Sequence, residues 1–175
     1  MKSSQIMKWV LFLGLWIGFL PSASALIVIL KSDPVLSISD ETGSFTLVFS
    51  DFVKQTVSSM QSVTYRVQAN NMASGTVQGA VSARLDQLFD GIDLEGDVDG
   101  YTNLGKSNFS VLQEAQSGPR VIQAAQTALA DKTPGTSSGD ANLDGNLTVT
   151  WRARLTADAS AGQNSRFLVV TLKES

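Results

Sequence analysis

From residue 26 onward the chain alternates apolar and polar positions in short runs divided by turn-forming residues. Across residues 44–49, Phe45, Leu47 and Phe49 fall on one face. Val63, Tyr65 and Val67 alternate with Thr64, Arg66 and Gln68, and a further run begins at Val77 and passes through Val81, Ala83 and Leu85 to Asp86. Leu147, Val149, Trp151, Ala153 and Leu155 alternate with Thr148, Thr150, Arg152, Arg154 and Thr156, and residues 167–173 close the chain in the same way. A period of two, rich in β-branched and aromatic residues, predicts half-buried strands. Residues 40–43, 70–75 and 133–139 are rich in Gly, Asn, Ser and Pro, which supply the backbone angles that turns need. Many strands joined by such turns predict an all-β fold, an antiparallel sandwich of two packed sheets.

Residues 120–132 break the pattern. Val121, Ile122, Ala125, Ala128 and Leu129 fit helical spacing. Two readings stay open: a short helix on the sandwich edge, or a strand followed by a loop.

The first 25 residues read as a secretory signal peptide. Lys2 and Lys8 give a positive start, residues 10–20 an apolar run, and residues 21–25 (Pro-Ser-Ala-Ser-Ala) a helix breaker with an A-x-A cleavage box. The apolar run is shorter than the roughly 20 residues needed to span a bilayer. A competing reading joins it to Leu26, Ile27, Val28, Ile29 and Leu30, making residues 9–30 an uncleaved anchor. Pro21 and the serines interrupt that continuity and favour cleavage. The expected organisation is a signal peptide over 1–25 and one domain over 26–175. The expected location is the periplasm, the cell surface or the medium, with no membrane attachment after cleavage.

Removal of Lys2 and Lys8 leaves 11 basic against 16 acidic residues, a net charge of −5. The basic residues are scattered, which disfavours nucleic acid as a partner. There is no cysteine, so a secreted chain has declined the disulfides open to it and must rely on packing and sheet hydrogen bonds. Histidine is also absent. This rules out a Ser-His-Asp triad and removes the commonest transition-metal ligands. The expectation is a non-enzymatic protein.

Two acidic patterns invite a cation. Asp140, Asn142, Asp144 and Gly145 match D-x-N-x-D-G, the opening of a calcium loop, in which alternate oxygen ligands precede a sharp glycine turn. The twelfth position, which should be a bidentate carboxylate, is Trp151. The plainer expectation is therefore a turn at Asp144-Gly145 leading into a strand at Leu147. The second pattern is a comb of Asp93, Glu95, Asp97 and Asp99, with Ile92, Leu94 and Val98 between them. On a strand its four carboxylates stand about 7 Å apart on one face. The plainer reading is a solvated outer face that discourages edge pairing; a cation site is the sharper one. Trp151 and Tyr65 lie on apolar faces and are expected in the core. Asn108 and Asn146 open glycosylation sequons.

Residues 63–70, 81–85, 147–151 and 167–172 resemble secreted bacterial Ig-like and pilin-like β-sandwich surface proteins. The resemblance implies a structural or adhesive surface protein, a filament subunit that associates with further copies or with other surface proteins. The chain departs from chaperone–usher pilins in lacking their cysteine pair and in having Glu174 where a penultimate aromatic is usual. Cleavage after Ala25 would place the apolar residues 26–30 at the new N-terminus, ready to complete the chain's own sandwich or to add to a neighbour's sheet edge. The alternative is a calcium-dependent binding module, for carbohydrate.

Overall fold

The structure, a computed structural model, describes residues 36–40, 44–70, 72–136, 139–159 and 162–173. The leader, residues 26–30 and Glu174 lie outside these. Among the described residues nine strands follow in order: β1 (Leu36–Asp40), β2 (Gln61–Ala69), β3 (Val77–Leu85), β4 (Ile92–Asn103), β5 (Val111–Glu114), β6 (Arg120–Val121), β7 (Thr127–Thr133), β8 (Leu143–Leu155) and β9 (Leu168–Leu172). They form two antiparallel sheets, β1-β2-β8-β4-β6 and β5-β7-β3-β9. The sheets pack face to face as a β-sandwich, with β1 beside β9 at one flank and β4 beside β5 at the other.

The longest strand, β8, organises the larger sheet. Every odd position from Leu143 to Leu155 is buried and every even position is half-exposed. Its partner β2 keeps the same alternation from Val63 to Ala69, because a two-residue side-chain period fixes register wherever one face is buried. Val63 lies opposite Val149, Tyr65 opposite Leu147, and Leu94 opposite Ala153. On the outer face the pairs are polar: Thr64 hydroxyl meets Thr148 at 3.3 Å, and Ser62 meets Thr150 at 2.6 Å.

Trp151 is the centre of the core. It is fully buried, and its Nε1–H donates to Tyr65 Oη at 3.2 Å, which gives both aromatics a partner for their polar ends. Burial pushes the Tyr65 phenol above its ordinary range. Phe45 stacks on the indole with ring centroids 6.1 Å apart. Directly opposite, Gly96 leaves room for the ring: a Cβ there would stand 2.5 Å from Trp151 Cζ3.

Two expectations require correction, and one open choice falls to the strand-and-loop reading. Residues 120–132 contain no helix; they are β6, a loop and β7. The apparent helical spacing came from adding the apolar positions of two strands across a turn, which Thr127 Oγ1 closes by accepting the Gln123 N–H at 3.1 Å. Residues 44–49 alternate but form no ladder. Phe45 is buried and Val48 is 61% exposed, yet the backbone of this segment is tied to the chain at Ser59, whose N–H donates to Val48 O and whose hydroxyl accepts the Val48 N–H. Alternation sorted the faces, and no described strand forms a ladder with these residues. Finally, β8 begins at Leu143, so Asp144-Gly145 is strand and not turn. Gly145 is required by close approach: a Cβ would stand 2.4 Å from Thr102 O and from the Tyr101 ring on β4.

Candidate functional site

The acidic comb is not four equivalent carboxylates. Glu95 is buried, opposite Arg152 in the sheet register, and is gripped by two arginines. Arg152 Nε donates to Glu95 Oε2 at 2.6 Å, Arg154 Nε to Oε1 at 2.9 Å and Arg154 Nη2 to Oε2 at 3.2 Å. Burial alone would raise the Glu95 carboxyl; the hydrogen bonds and charges of Arg154 and Arg152 outweigh it and hold it below the usual range. Asp97 moves the other way, raised by burial and by the neighbouring charges of Glu114 and Asp99. Asp99 accepts the Thr150 hydroxyl. Asp93 lies opposite Arg154. The comb was expected to be a solvated face throughout, but the arginines at alternate positions of β8 take Glu95 out of water.

The D-x-N-x-D-G residues are also divided. Asp144 faces out from β8 and pairs with Arg66 on β2. Asp140 turns the other way, into a knot of loops. Its Oδ2 accepts the Gly75 N–H at 2.7 Å, and its Oδ1 accepts the Gly135 N–H at 2.9 Å, the Ser110 hydroxyl at 3.2 Å and the Lys132 ammonium at 3.2 Å. Between them, the Asn142 N–H donates to Gly139 O and its carbonyl accepts from Ser110 N. Among the described residues, no three acidic side chains converge to hold a metal ion. A calcium ion would have to displace an ammonium group and two backbone donors from Asp140. We therefore expect about 1 mM calcium to leave the melting temperature where a chelator leaves it, since only a ligand bound to the folded state raises it. A rise of several degrees would show these carboxylates rearranging around the ion.

Lys132 is the residue that sequence reasoning missed. It is fully buried on β7, and its three donors are all taken: Ala73 O at 3.0 Å, Gly75 O at 2.6 Å and Asp140. One ammonium thus ties the loop after β2 to the loop before β8. The Gly75 N–H first, then the Gly135 N–H and the Lys132 ammonium, depress the Asp140 carboxyl to about 2. A depressed carboxylate stabilises the fold above its unfolded pKa, and that contribution disappears as pH falls through the folded one. Melting temperature should therefore fall between about pH 4 and pH 2, and less steeply in Asp140→Asn, whose side chain does not titrate. Equal slopes would place the acid sensitivity elsewhere.

Two surface features remain. One is an apolar groove of about 490 Å³ at one end of the sandwich, between residues 45–52, the start of β4 and residues 162–166. The other is the edge of β9 that no described strand covers. The Asp86 N–H donates to Phe167 O at 3.0 Å and the Lys173 N–H to Ala80 O at 2.9 Å. Antiparallel alternation then commits the main chain of residues 167, 169, 171 and 173 to β3. The N–H and C=O groups of Leu168, Val170 and Leu172 point away from it, and no described strand pairs with them. The side chains of these same three residues are buried in the core. The chain matches no known protein-family model, and no curated protein is significantly similar to it in sequence.

Proposed function

We propose that this protein is an exported, non-catalytic structural or adhesive surface subunit that associates by strand addition, with residues 26–30 as the added strand and β9 as the acceptor. The observation that supports this reading is the character of the β9 edge. Sheet edges are normally blunted by shortness, charge, proline or bulges. Two of the other edges follow that rule: β6 has two residues, and β5 exposes Gln113 and Glu114. The β9 edge is Leu-Val-Val-Thr-Leu, with no proline, charge or bulge across its five residues.

An incoming strand would bond to Leu168, Val170 and Leu172 and lay alternate side chains on the core. Leu26, Ile27, Val28, Ile29 and Leu30 are as long as β9 and apolar at every position. The five residues from 31 to 35 can reach across roughly 17–18 Å, and β1 lies beside β9. The segment can therefore serve its own β9 or that of a neighbour, and the second choice links copies into a filament.

Deletion of residues 26–30, read by sedimentation and electron microscopy, tests the proposal. The intact protein should assemble and the deletion variant should not. If both assemble alike and melt at the same temperature, the segment is not the added strand.

A further inference from the structure

The groove at the end of the sandwich has a chemistry of its own. Its walls are apolar, built from Phe45, Leu47, Phe52, Phe89 and Leu94, and its volume lies within the range of small-molecule sites. A single cation, Arg166, stands at its rim. The guanidinium lies over the Phe89 ring, 5.2 Å from the centroid. Its Nη1 is spent on Asn164 Oδ1 at 3.0 Å and Ser165 O at 2.8 Å. Its Nε–H is shielded from water and has no acceptor among the described residues. Nη2 donates to no described residue and is not shielded, so it is the donor that a ligand can reach.

A carboxylate there gains a charge-assisted hydrogen bond from a permanently charged, planar donor. We infer that the groove binds a small amphipathic carboxylate, a free medium-chain fatty acid, with its tail among the phenylalanines and its carboxylate on Nη2 of Arg166. This site is separate from the β9 edge and does not depend on strand addition.

Isothermal titration of the full chain with decanoate, with decanol as the uncharged control, tests the inference. Decanoate should bind and decanol should bind more weakly. Arg166→Gln should weaken decanoate by about ten- to a hundredfold, the cost of losing a charge-assisted pair, and leave decanol within about twofold. Phe89→Ala should weaken both ligands together. Arg166 is half-exposed and precedes β9, and a thermal melt of each variant checks that it is folded.

No heat with decanoate at millimolar concentration overturns the inference. So does equal binding of decanoate and decanol, or an Arg166→Gln variant that is folded and binds decanoate as before. Sedimentation of the same samples covers the competing occupant. If decanoate gives no heat while Phe89→Ala disperses an oligomer, the groove holds a second copy of the chain and the inference fails.

Discussion

Replacement of Trp151 by alanine is expected to cost about 3–5 kcal/mol, the range for deleting a large buried aromatic. The indole contributes in several ways at once. It fills the space above Gly96, stacks with Phe45 and holds the Tyr65 hydroxyl. Alanine leaves a cavity and takes away the hydrogen-bond donor that faces the Tyr65 oxygen. Reversible urea unfolding measures the loss, and a cost below about 1 kcal/mol would mean that the two sheets do not close on this ring. Gly96→Ala approaches the same contact from the opposite side. Its Cβ cannot stand 2.5 Å from Cζ3, so the ring or the strand must move, and about 1–3 kcal/mol of overpacking is expected.

Lys132→Met should cost about 3 kcal/mol, the lower end of the range for breaking a buried ion pair, because Asp140 keeps some contact with water. Methionine fills the volume and carries no donor. The Ala73 and Gly75 carbonyls lose their partner, and the Asp140 charge loses its cation. For a domain of this size the melting temperature should drop by about 6–12 °C. Hydrogen exchange should rise first in the loops that the ammonium joins, since local opening follows lost local contacts. A variant as stable as the parent would show that the loops hold without the lysine.

The sandwich itself was legible in the sequence, for a physical reason. A strand with one buried face writes a two-residue period, and Leu147, Val149, Trp151, Ala153 and Leu155 write it without interruption. What the period does not encode is which backbone groups find partners. Residues 44–49 alternate as cleanly as β2 and form no ladder with a described strand. Residues 120–132 look helical because Ile122 and Leu129 reach the core from opposite sides of a turn.

The acidic residues were found by type and misjudged by company. Asp140 and Asp144 are four positions apart, yet one faces Lys132 and the other Arg66. Glu95 looked like Asp93 and Asp97 until β8 brought up Arg152 and Arg154. The groove could not be read in advance, because its walls come from residues more than a hundred positions apart. Lys132 left one faint signal: it falls in step with Ala130, on the buried face of β7.

Strand addition at β9 is the central claim, and amide hydrogen exchange read by NMR tests it residue by residue. The N–H groups of Val169 and Thr171 bond to β3 and should exchange slowly whether or not residues 26–30 are present. Those of Leu168, Val170 and Leu172 should be slow in the intact protein and fast once residues 26–30 are deleted. If the outward amides exchange fast in the intact protein, or stay slow after the deletion, residues 26–30 do not cover the β9 edge.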